Sequence, residues 1–410
     1  MDEFDPTSLL TDEATRQIQT RIQPTHGFEC VNLRSALGRA LYEDIPSTRD
    51  VPGHTNSAMD GYAIRGEDIP AEGTRSFNLI GTAWAGHPFP VAVSPGQCVR
   101  IMTGAPLPAA TDTVVIQEQV QIEGDKILID SENKPGQNVR QAGEDIAKNQ
   151  TVLEAGRKLV PADLGLLASL GIGEVRVFRK LRVAFFSTGD ELCSIGEELG
   201  PGCVYDSNRY TLFGMLQRLG AEPIDMGVIR DRKKDTHEAF EEAAKCADVI
   251  LTSGGVSVGE ADYVKECLDE LGQITFWKVA MKPGRPLAFG RINDAWFFGL
   301  PGNPVSVMVT FYIFVQPALR KLMGETNTTP LQMQVRCESR LKKKAGRTEF
   351  QRGILRRDDA NGFTVTGTGA QGSGILTSMS QANCFIILPL EAEAVEPGSM
   401  VEVLPFASIA

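Results

Sequence analysis

Five carboxylates sit where the chain should turn. Asp190 and Glu191 lie in STGDEL, Asp231 follows EPIDMGVIR, and Glu260 and Asp262 lie in SGGVSVGEADY. Each follows an apolar run with strand character, so each group closes a different element. Hard oxygen ligands of this kind suit Mg²⁺, which keeps waters and bridges to phosphate. A plainer reading exists for single members: Asp190 and Glu260 precede runs of helical character, where an acid interacts well with the helix dipole. A cationic set surrounds Met281-Lys282-Pro283-Gly284-Arg285-Pro286. Two prolines and a glycine fix that loop, and Lys278, Lys282 and Arg285 could hold an oxyanion there. A solvated basic loop is the competing reading.

A third set is largely backbone. The apolar run Val249-Ile250-Leu251 ends in Thr252-Ser253-Gly254-Gly255-Val256-Ser257-Val258-Gly259. Small hydroxyl residues and glycines let a backbone turn tightly and approach a ligand, so Ser253, Gly254, Gly255, Ser257 and Gly259 form a candidate phosphate cradle. WFFGL runs into Pro301-Gly302-Asn303-Pro304-Val305-Ser306. Asn303 suits an N-cap and Pro304 the first helical position, which would aim free N–H groups outward. Ser257 and Ser306 are candidate hydroxyl donors. No His or Cys occurs in these loops, which speaks against a Ser-His or Cys-His nucleophile. His54 reads as an exposed polar loop residue.

These loops need a scaffold. From Lys180 to about Met323 strands alternate with helices, as in βαβ units with a largely parallel sheet. Loops at the carboxyl ends of such strands line one crevice. Upstream, Thr7 to Ile22 has helical periodicity, and Asn32 to Asp44 is a second short helical candidate. Ser47 to Tyr62 is rich in turn formers. Ala63 to Asp130 reads as a small antiparallel β domain. Pro135 to Asp145 is a polar connector, followed by a helix over Pro161 to Leu170 and a strand over Glu174 to Phe178. From Thr329 onward the pattern is β again, consistent with a small barrel. The expected domains are 1–46 with 141–179, 47–140, 180–326 and 327–410: a multidomain α/β protein.

The net charge of -11 argues against broad nucleic-acid binding, which uses a basic face. The eight cysteines are widely spaced, with no zinc-like cluster, as expected for reduced thiols in the cytoplasm. The acidic N-terminus does not resemble a signal peptide. The most apolar run, Val305 to Val315, is short for a membrane span and reads as a buried helix.

Six stretches in order, NSAMDGYA (Asn56 to Ala63), IMTGAP (Ile101 to Pro106), STGDEL, SGGVSVGEADY, KPGRP and GLPGNPVS, resemble the MoeA family of molybdopterin molybdenumtransferases, which includes the E domain of gephyrin. The resemblance covers nearly the whole chain. It implies a molybdopterin-binding fold for the central three-layer domain, flanked by a two-segment linker domain, a small β domain and a barrel-like C-terminal domain. It implies that adenylylated molybdopterin and molybdate react, with Mg²⁺, to give molybdenum cofactor and AMP. Functional positions carry over to Asp60, Thr103, Glu191, Asp231, Asp262, Pro301 and Pro304, with Glu191, Asp231 and Asp262 as metal ligands. Asp60 and Thr103 would reach the site of the other subunit in a homodimer. Substrate hand-over from molybdopterin adenylyltransferase and delivery to molybdoenzyme maturation factors follow as expected partnerships. Arg285 departs from the family pattern, where many relatives have Lys; a planar fork replaces a point charge. Two rival functions are an ATP-using molybdopterin adenylyltransferase and a non-catalytic scaffold.

Overall fold

The computed structural model describes residues 5–255, 266–267, 270–358 and 362–409. Ser257, Gly259, Glu260 and Asp262 lie outside the described residues, so two of the five expected cradle residues and one expected metal ligand have no position here.

The central domain holds a six-stranded sheet in the order Glu222–Ile229, Arg182–Thr188, Val249–Ser253, Ala295–Leu300, Pro286–Ile292, Gly272–Lys278. The first four strands run parallel and the last two complete an antiparallel edge. The Pro286–Ile292 strand was not anticipated. It folds back between its neighbours, so the KPGRP loop joins two antiparallel partners of one edge. Val249, Ile250 and Leu251 are fully buried because the sheet is covered on both faces. Leu212 and Leu216 of the Asn208–Leu219 helix pack with Phe185, Leu251 and Phe298 on one face. Phe240 and Ala243 of the Lys233–Cys246 helix pack with Phe186, Ile250 and Phe297 on the other. Each such large apolar side chain contributes about 1.5–3 kcal/mol by burial.

Register fixes where the loops emerge. Ser187 lies beside Ser253, Ser253 beside Leu300, and Thr188 beside Ile229. All four parallel strands therefore finish at one rim, and the chain leaves it through 189–191, 230–231, 254–255 and 301–303.

After that rim the chain enters a long helical stretch from Pro304 to Leu322, with a π-helical turn over Phe311–Val315. Its 19 residues make it long and apolar enough to cross a membrane, longer than the Val305 to Val315 run suggested, yet 72% of it is buried inside the protein. It is a core helix against which Ala14 and Ile18 of the Thr11–Arg21 helix also pack.

Phe28–Asn32 pairs with Glu174–Phe178, and Ile45–Pro46 with Thr151–Leu153, so two distant segments share one small core. The helix expected over Asn32 to Asp44 is a single turn, Leu33–Ala36. Beyond it Ala40 and Leu41 bridge to Lys158 and Val177, and this strand-like pairing overrides the local helical pattern. The β domain is mixed rather than antiparallel, because Thr74–Ala83 runs parallel to Gln97–Ile101. In the C-terminal region Thr348–Asp358, Gly362–Gly367, Met333–Cys337, Met400–Pro405 and Cys384–Leu388 close into a five-stranded barrel.

Candidate active site

One cleft of about 650 Å³ opens at the rim of the central sheet. Glu191, Asp231, Gly254, Gly255, Lys282, Arg285, Pro301, Asn303 and Ser306 all line it. Glu191 and Ser306 thus share one pocket although they leave different strands. Lys278, Ser253 and Pro304 are not among its lining residues. Ser253 is buried, and its hydroxyl lies 2.8 Å from that of Ser187 on the neighbouring strand. Lys278 is exposed at the end of the antiparallel edge, with its carbonyl accepting from Leu9 N.

Glycines let the loops meet. A Cβ on Gly254, at φ 91°, would stand 2.7 Å from the Thr188 carbonyl oxygen. A Cβ on Gly284, at φ 98°, would stand 2.6 Å from Thr310 Oγ1 of the core helix. Both positions are left-handed, so any other residue adds strain to the clash. The loop before the helix is held by Asn208, whose side-chain amide donates to Gly302 O at 2.7 Å.

The acids crowd one another. Asp190 Oδ1 accepts from Asp231 N at 3.2 Å. Asp190 therefore fixes the Asp231 loop instead of capping a helix, and a short ribbon, not a helix, follows it. Burial, then the charges of Asp190 and Glu191, push the Asp231 carboxyl above its ordinary value. Among the described residues no group of three His, Cys, Asp or Glu side chains stands together as a ready metal site.

Lys282 is stitched to the barrel. Met281–Lys282 pairs alongside Thr348 and Glu349, and Lys282 Nζ lies 3.2 Å from Glu349 Oε1. The barrel itself adds Arg347, Gln371, Gly372 and Ser373 to the cleft. Ser373 O accepts from Val305 N at 3.0 Å. That bond corrects the expectation of a helix start with free outward amides: Pro304 has no N–H, and Val305 is already capped. Asn303 occupies the N-cap position without a side-chain capping bond. Beneath the 370–373 loop Arg352 is only 1% exposed and donates to Ser378 Oγ, Ala370 O and Gly372 O at 3.0, 3.3 and 3.0 Å. Burial pushes its pKa down to about 10, so it stays charged. The signal that could have found this wall is the glycine-rich run GTGAQGSG at 367–374, where the β pattern from Thr329 onward gives way to small residues.

Comparison with known proteins matches three consecutive segments. Residues 9–171 match the MoeA N-terminal region (domain I and II), 184–321 a probable molybdopterin binding domain, and 334–406 the MoeA C-terminal region (domain IV). The chain belongs to the MoeA family. The molybdopterin molybdenumtransferase of Haemophilus influenzae is 44% identical over 97% of this chain and 98% of its own. That of Nostoc is 38% identical over 92% and 88%. A solved molybdopterin biosynthesis MoeA protein from Pyrococcus horikoshii superposes with a TM-score of 0.85 at 31% identity, covering 97% and 100% of the two chains.

Within this MoeA chain, Asp60 and Thr103 lie apart from the cleft but together. Asp60 Oδ1 accepts from the amide and hydroxyl of Thr103 at 2.7 and 2.8 Å. The Thr103 amide and hydroxyl hold the Asp60 carboxyl below its usual range, so it is an exposed carboxylate between two strands of the β domain.

Proposed function

We propose that this MoeA-family chain inserts molybdate into adenylylated molybdopterin and releases AMP with the help of Mg²⁺. The single observation that carries the reading is the shared cleft, in which two acids from the α/β rim meet Lys282, Arg285 and the start of a helix. A pyrophosphate-linked substrate and a metal oxyanion need such a mixture of charges.

The acids fit Mg²⁺. This ion takes one or two carboxylates and fills its other positions with water and substrate phosphate. Glu191 and Asp231 supply the carboxylates, and a cation relieves both the burial of charge and the repulsion from Asp190 and Glu191 that together raise the Asp231 pKa. When bound, Mg²⁺ neutralises charge on the phosphate link and so eases departure of AMP. Gly254 and Gly255 keep the rim free of side chains where phosphate must approach. Lys282, Arg285 and Ser306 hold and orient the oxyanion. Asn208 and Asp190 act indirectly by fixing the loops. No covalent intermediate is required, since positioning and charge neutralisation suffice for metal insertion.

The exposed Asp60–Thr103 pair supports a homodimer in which the β domain of one subunit completes the cleft of the other. Molybdopterin adenylyltransferase is the proposed supplier of substrate, and molybdoenzyme maturation factors the recipients. All eight cysteines are free thiols, which fits a reducing cytoplasm. Incubation with adenylylated molybdopterin, molybdate and Mg²⁺ should release AMP together with molybdenum-loaded cofactor. AMP release that ignores molybdate, or adenylylation of molybdopterin by ATP, overturns the reading.

A further inference from the structure

Arg285 lines the cleft, yet its guanidinium is already engaged. Its Nη2 lies 2.6 Å from Asp5 Oδ2. The other Asp5 oxygen accepts from the Thr7 amide at 3.0 Å and the Thr7 hydroxyl at 2.6 Å. The segment behind it is pinned. Leu9 bridges Val279 in parallel, Leu9 N donates to Lys278 O, and Ala280 N donates to Leu9 O, each at 2.8 Å. On the other side Val279 N donates to Arg285 O at 2.8 Å, so acid and base are anchored to the same short stretch. The Thr7 hydroxyl and amide, with Lys278 and Arg285 nearby, hold Asp5 below the ordinary carboxylate range, so it stays charged at any working pH.

A carboxylate on a guanidinium occupies the place that an oxyanion would take. We propose that Asp5 is a built-in competitor at the oxyanion subsite: it sets the affinity and selectivity of the cleft for its anion by holding Arg285 until a stronger anion displaces it. Selectivity follows from geometry. Arg285 offers a planar fork. An anion able to engage both its arms displaces a carboxylate that engages one, and a weak or singly charged anion does not. Lys282, by contrast, leans on Glu349 within the barrel and is a fixed partner.

The proposal rests on the reading of the cleft as an oxyanion site, and its test separates the two. Binding of sodium molybdate to the full chain is measured by calorimetry in wild type, Asp5→Asn, Arg285→Ala and the double variant. Wild type should bind and Arg285→Ala should bind more weakly. No molybdate binding to wild type defeats the oxyanion reading of the site, and with it this proposal. With wild type binding, Asp5→Asn should tighten affinity about two- to five-fold, the size expected for an exposed ion pair. The gain should vanish on the Arg285→Ala background, and KM for molybdate should fall with kcat unchanged. Thr7→Ala, which removes the hydroxyl bond to Asp5 but keeps the amide bond and the charge, should tighten affinity by a smaller factor. Unchanged or weaker binding by Asp5→Asn, or a gain that persists without Arg285, overturns the proposal.

Discussion

Asp231 sits among like charges. Burial, Asp190 and Glu191 all favour its neutral form. A carboxyl whose pKa is higher in the folded state stabilises the fold fully below its unfolded pKa and loses that contribution as pH rises through the folded value. Asp231→Asn should therefore raise Tm at pH 7, and the gain should disappear below pH 3.8, the ordinary aspartate value. Mg²⁺ should raise the wild-type Tm at pH 7 more than that of the variant. Thermal melts across pH and Mg²⁺ check both, and identical melts at pH 7 refute the crowding. At this scale the lining of the cleft was legible wherever a loop left a strand: Glu191, Asp231 and Ser306 were placed that way, and Lys282 by the prolines and glycine of its loop. Arg347, Arg352 and Ser373 were not, because they come from a barrel whose local pattern shows only alternation and turns. Ser253 misled for the opposite reason. Its neighbours promised a loop, while the strand runs two residues further, through Ser253, and buries it against Ser187.

Elements meet at a clasp outside the cleft. Arg179 follows the Glu174–Phe178 strand and grips Asp248 with both arms, each at 2.7 Å, just before the central Val249–Ser253 strand. Arg182 N adds a third bond at 2.9 Å. Burial opposes the charge on Asp248, but these partners outweigh it and depress the pKa. Such a group contributes stability above its unfolded pKa and loses it as pH falls through the folded value. Asp248→Asn should cost about 1–3 kcal/mol at pH 7, measured by urea unfolding. The difference from wild type should shrink as pH drops below 3.8. The alternation of strand and helix made the sheet itself legible, since runs such as VILTS are apolar on both faces. The antiparallel edge was harder to see: PLAFGRI carries a glycine and an arginine, and its place depends on pairing with strands on either side.

For the whole molecule, the proposed arrangement makes a sharp claim about mixing. If Asp60 acts in the other subunit's cleft, Asp60→Ala and Glu191→Gln damage different parts of one composite site. A heterodimer of the two variants then carries one doubly damaged site and one intact site. Random exchange of equal amounts yields half heterodimers in a two-fold assembly, so about a quarter of wild-type activity should return. AMP release after co-refolding checks it, and no recovery means that each cleft works with its own chain alone. The pinning of Asp5 has a practical side for whoever prepares the protein. Asp5 lies against Arg285 and Thr7 is tied to Asp5 on the same pinned segment, so a charge engineered at Thr7 for any other purpose joins the local field at the mouth of the cleft.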